Sequence, residues 1–121
     1  KLIEKLFTDG SSFLVYPFRI VWLSELANPV NPVQVLISVP KKRFKRAVDR
    51  NLIKRRIREL YRLNKSEYLF SFLNEHSSGL TLGITYIGNE IGEYAFLDKK
   101  FKDALNRLKK LYLSSHVEKD S

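Results

Sequence analysis

The chain has 121 residues, 44% of them hydrophobic, a formal net charge of +9 and no cysteine. That length suits one domain over residues 1–121; the missing cysteines exclude a disulfide framework and thiolate metal sites, and no apolar run approaches the roughly 18 to 20 residues of a membrane span. The first residues lack the cationic, apolar and small-residue zones of a secretory signal, so a cytoplasmic protein is expected.

Leu2, Ile3, Leu6 and Phe7 are spaced for one face of a short helix, which Asp9-Gly10 ends. From Ser11 to Leu23 the residues are aromatic and β-branched, with Pro17 dividing a short strand from a longer one. Asn28-Pro29 and Asn31-Pro32 mark a turn, and Val33 to Val39 reads as a strand facing back on its predecessor. A basic loop, Lys41 to Arg46, leads into a helix from about Ala47 to at least Tyr68. Ser77, Ser78 and Gly79 then introduce a strand in which Leu80, Leu82, Ile84 and Tyr86 alternate with Thr81, Gly83 and Thr85. Leu97, Phe101, Ala104, Leu105, Leu108, Leu111 and Tyr112 define a final amphipathic helix, capped by Asp98 and frayed over about residues 115–121. The order helix, three strands, helix, strand, helix predicts an α+β fold with helices packed on a four-stranded sheet.

Charge is concentrated in one place. Between Lys41 and Lys65 stand 12 Lys and Arg against Asp49 and Glu59, a formal +10, while the other 96 residues balance to −1. Solubility needs no such clustering, whereas neutralising a row of phosphates does. At about 100° per residue, Ile53, Ile57, Leu60, Tyr61 and Tyr68 fall within one arc and form the buried stripe. The adjoining arc collects Asn51, Lys54, Arg55, Arg58, Arg62 and Lys65, with Arg50 at its edge. A merely solvated cationic face, a membrane-surface helix and a structural RNA-binding protein are the alternatives. The near absence of opposite charges argues against the first, and an opposite face holding two tyrosines argues against the second.

Independent catalysis finds no support. His76 and His116 have no Cys, Asp or Glu at metal-ligand spacing, Glu90 and Glu93 form an ordinary loop pair, and no Gly-rich loop precedes Lys-Ser or Lys-Thr. No catalytic residue or protein-held metal is therefore expected, and another molecule would supply the reactive centre.

The run Arg50-Asn51-x-x-Lys54-Arg55-x-x-Arg58, preceded by Ala-Val and by a strand ending Ser-Val-x-Lys-Lys, closely resembles the protein subunit of bacterial ribonuclease P. Phe7-Thr8-Asp9-Gly10 at the end of the first helix and the order of elements extend the resemblance over nearly the whole chain. It implies a ribosomal-protein-S5-domain-2-like fold and a non-membrane, non-DNA role beside a catalytic RNA. That RNA, with Mg²⁺, would remove the 5′ leader of precursor tRNA. Carried onto this sequence, the RNA-binding positions are Lys41, Lys42, Arg50, Asn51, Lys54, Arg55 and Arg58, with Arg62, Lys65, Arg43, Lys45 and Arg46 extending the patch.

The resemblance also implies a cleft for the single-stranded leader, lined by Ile3, Phe7, Arg19 and Val21. Aromatic residues are common in the family at the positions of Ile3 and Val21, so part of the stacking platform is missing here. Ile3, Phe7 and Val21 read equally well as packing residues. Arg19 and Val21 should share one sheet face, and Phe18, Ile20 and Trp22 should face the core.

Overall fold

The computed structural model describes residues 10–26, 33–70 and 78–120. Strands β1 (Ser11–Val15), β2 (Phe18–Leu26) and β3 (Val33–Ser38) precede helix α1 (Ala47–Lys65), which runs into a single π-helical stretch, Ser66–Phe70. Strand β4 (Ser78–Tyr86) and helix α2 (Tyr94–Asp120) complete the fold. The helix expected at Leu2 to Phe7, and with it Ile3 and Phe7, lies outside the described residues.

Proline sets the first hairpin. Tyr16-Pro17 is a cis peptide between β1 and β2, the Ile87 N–H donates to the Pro17 carbonyl at 2.8 Å, and the strands pair antiparallel with Phe13 opposite Ile20. As the alternation required, Phe18, Ile20 and Trp22 enter the core.

Strand β3 does not pair with β2. The sheet order is β1-β2-β4-β3, with β4 antiparallel to β2 and parallel to β3. The reason lies in burial. Leu80, Leu82, Ile84 and Tyr86 are almost completely enclosed, which calls for a central strand paired on both edges, whereas β3 has only half-buried and exposed positions and suits an edge. Two parallel neighbours need a long crossover, and α1 supplies it.

Both helices bury one stripe in the cluster of apolar side chains that joins all these elements. Ile53, Ile57 and Leu60 of α1 are fully enclosed, as are Leu97, Phe101, Ala104 and Leu108 of α2. Phe18 meets Phe101 edge to face at 5.6 Å and Tyr86 at 6.1 Å, and Tyr112 lies 6.0 Å from Trp22. Asn64 joins the α1 stripe although polar, because its Nδ2 donates to the Leu60 carbonyl at 2.7 Å.

Two expectations for α2 change. The helix starts at Tyr94, so Asp98 sits beyond its first turn and pairs with Lys102 at 3.1 Å instead of capping. Leu111 is exposed rather than part of the stripe. The helix ends at Asp120, and no Gly or Pro follows Gly92 in the sequence.

Candidate nucleic-acid interface

The cationic surface has two parts, a loop and a helix. In the loop, the Pro40 carbonyl accepts the N–H groups of Arg43 and Phe44, both at 3.2 Å, which closes a tight turn with Lys41 and Lys42 exposed. Phe44 points inward, buried against Tyr86 with ring centres 5.9 Å apart. An apolar anchor thus fixes the loop from below while its charges face water.

On α1, Asn51, Arg55, Arg58 and Arg62 are exposed and Lys54 is half-buried along its stem, an arrangement set by the burial of Ile53, Ile57 and Leu60 on the adjoining arc. Asn51 and Arg55, one turn apart, line a shallow depression of about 400 Å³ together with Val48, Asp49 and Leu52. Among the described residues, Lys54, Arg55 and Arg58 make no ion pair or hydrogen bond within the chain. Their donors are therefore available to a ligand. Arg offers a planar fork that bridges two phosphate oxygens, Lys a mobile point charge.

Other cations are engaged. Arg62 donates through Nε to Glu59 at 3.2 Å and through Nη2 to the other carboxylate oxygen. That hydrogen bond holds the Glu59 carboxyl below its usual range and the Arg62 guanidinium above its own. Arg62 thus reaches a ligand only by sharing its charge with Glu59. Glu59→Gln is expected to tighten binding to a polyanion roughly two- to threefold, the small effect of an exposed pair, and to raise the salt slope. A salt titration of RNA binding by both forms checks it.

Arg43 donates to Asn89 Oδ1 at 2.7 Å and Arg56 to the Gly92 carbonyl at 2.7 Å, so both strap the segment after β4 to the basic region. The Tyr86 hydroxyl completes this anchorage, donating to the Glu90 carbonyl at 2.7 Å and accepting the Gly92 N–H at 3.0 Å. A Cβ at Gly92 would stand 2.9 Å from Leu97 and 3.3 Å from the Tyr86 hydroxyl oxygen, so a side chain here would force the buried Leu97 to shift. Burial pushes Tyr86 above the ordinary phenol value and Tyr61 up to about 12, so both rings stay neutral and serve packing.

Sequence reasoning left out Arg56, whose position on the flank of the stripe opposite the cationic arc was the available signal. It also left out a cleft of about 630 Å³ bounded by exposed Tyr16 and Phe96 and by the segment that Arg56 holds.

Arg19 and Val21 do share the sheet face turned away from the two helices, their partners on β4 being Thr85 and Gly83. Arg19 is exposed, whereas Val21 keeps only 5% of its surface accessible, which fits packing.

Fold and surface together define a small α+β protein built to face a polyanion, and comparison with known proteins gives the family. Residues 1–77 match the sequence model described as Ribonuclease P. The chain is 36% identical over 106 residues to the ribonuclease P protein component of Porphyromonas gingivalis, covering 88% of this chain and 77% of that one. The fold superimposes on the RNase P protein of Staphylococcus aureus with a TM-score of 0.68 at 22% identity, covering 88% of each chain. It superimposes equally on that of Thermotoga maritima, TM-score 0.68 at 21% identity, covering 87% of this chain and 89% of the other. The chain belongs to the ribonuclease P protein component family. Membership makes it a subunit of a tRNA-processing endoribonuclease, with the ribonuclease P RNA as partner.

Proposed function

We propose that this protein assists a catalytic RNA in removing the 5′ leader from precursor tRNA in the cytoplasm, binding that RNA through α1 and the Lys41–Arg46 loop and the leader through the sheet face carrying Arg19. The observation that carries the reading is the row Lys54, Arg55 and Arg58, unpaired among the described residues, beside exposed Asn51 on a helix whose other side is locked into the core. Such a row screens phosphate repulsion when two RNA molecules come together.

Among the described residues no group of three or more His, Cys, Asp or Glu could hold a metal ion. The Mg²⁺ of the reaction is assigned to RNA phosphates, whose oxygens are the hard ligands it prefers. No helix among the described residues is long and apolar enough to cross a membrane.

Leader recognition rests on Arg19, exposed on β2 next to the half-buried Thr85. An arginine tracks a single-stranded backbone without reading its sequence, so this face should tolerate many leaders. The functional reading is tested by mixing the protein with ribonuclease P RNA and a labelled precursor at low Mg²⁺. Protein alone is expected to leave the precursor intact, and robust cleavage without RNA would overturn the proposal.

A further inference from the structure

Arg50 stands within the sequence pattern of the cationic face, yet it is placed differently from Lys54, Arg55 and Arg58. It lies seven residues, two helical turns to within about 20°, before buried Ile57. That angle belongs to the buried stripe rather than to the exposed arc. The side chain is half-buried, and its Nη1 donates to two carbonyls of the preceding loop, Phe44 at 2.8 Å and Lys45 at 2.9 Å. A guanidinium in the first turn of a helix opposes the macrodipole, and the N-cap residue Arg46 makes no side-chain capping bond. The two loop carbonyls offset that opposition, and in return the cation fixes the direction in which the loop leaves the helix.

We propose that Arg50 is a positioning residue, whose guanidinium clamps the 41–46 loop so that Lys41, Lys42 and Lys45 are held ready for RNA phosphates, and that its effect on RNA binding passes through those lysines. The inference rests on the reading of this surface as an RNA interface. The loop is held at three further points, the Pro40 turn, the buried Phe44 ring and the bond from Arg43 to Asn89. Among the described residues, Arg50 is the α1 side chain that bonds the carbonyls of Phe44 and Lys45, beside the looser exposed pair of Arg46 with Asp49 at 4.0 Å. The Arg50 Nη1 has both hydrogens committed there, while Nε and Nη2 keep three. Direct contact and positioning are therefore both chemically open, and an experiment separates them.

Arg50→Met keeps the aliphatic stem and removes both hydrogen bonds. In the free full-length chain, amide exchange at Arg43 and Phe44, whose N–H groups bond the Pro40 carbonyl, should quicken roughly tenfold, as expected when charged hydrogen bonds that close a local opening are lost. Affinity for ribonuclease P RNA should fall about tenfold in the otherwise unaltered chain. In a chain already carrying Lys41→Ala, Lys42→Ala and Lys45→Ala, the same change should cost less than about twofold, because groups acting as a unit are not additive.

An equal loss in both backgrounds would show direct contact and overturn the proposal, as would unchanged exchange in the free protein. If the triple lysine variant binds RNA as the parent does, the loop has no part in RNA binding and the route proposed for Arg50 falls with it. The helix face would still stand or fall separately on Lys54, Arg55 and Arg58. Circular dichroism of each variant establishes that it is folded.

Discussion

Alanine at Lys54, Arg55 and Arg58 together is expected to lower affinity for ribonuclease P RNA by about two orders of magnitude, taking about 1 kcal/mol for each exposed charge-assisted contact. Among the described residues the three side chains have no ion pair or hydrogen-bond partner, so their removal strands no partner there and the loss reports contact with RNA. Stability should change little, since the residues project from a helix anchored by Ile53, Ile57 and Leu60. The plot of log affinity against log salt should flatten by roughly 0.7 to 0.9 for each phosphate contact removed. Single variants divide the effect. A residue whose replacement leaves the slope unchanged does not contact phosphate. Arg62→Ala should flatten it less than Arg55→Ala, because Glu59 already screens Arg62.

Phe18→Ala should cost about 3 to 5 kcal/mol, a large share of the roughly 5 to 15 kcal/mol that holds a domain of this size. Phe18 is wholly enclosed at the start of β2, opposite Tyr86, and touches Phe101 of α2 edge to face. It is thus a bridge between sheet and helix. The thermal midpoint is expected to fall by about 10 to 20 °C, followed by circular dichroism. Phe18→Leu, which keeps most of the volume, should cost less than about 1.5 kcal/mol. A loss below about 1 kcal/mol for the alanine form would mean that the site repacks. The folded fraction should keep the parent salt slope for RNA, because the cationic row lies on the far side of α1 from this core.

Much of this was legible along the chain because the relevant periods are local. The α1 stripe needs only a 100° step, and the outward placement of Asn51, Lys54, Arg55 and Arg58 follows once Ile53, Ile57 and Leu60 are assigned inward. The inward row of β2 follows from alternation alone. The pairing of β3 was not legible, since register between distant strands is decided by which strand must be buried on both edges, a comparison of whole strands. The start of α2 was misjudged because Asp98 resembles a cap, while the Glu93 carbonyl already accepts the Leu97 N–H at 3.0 Å. Likewise, charge count treats Arg43, Arg50, Arg56 and Arg62 like Arg55, yet all four spend donors within the protein. Which arginine is free depends on carbonyls and carboxylates brought close only by the fold. Val21 shows the same limit, for alternation gives its face but not what covers it.

The most direct test of the central claim is 5′ processing of a labelled precursor tRNA by a bacterial ribonuclease P RNA at low Mg²⁺, with and without this protein. The account predicts little cleavage by the RNA alone, none by the protein alone, and release of the leader at the correct 5′ end when both are present. A folded protein that binds the RNA yet leaves processing at low Mg²⁺ unchanged would contradict it.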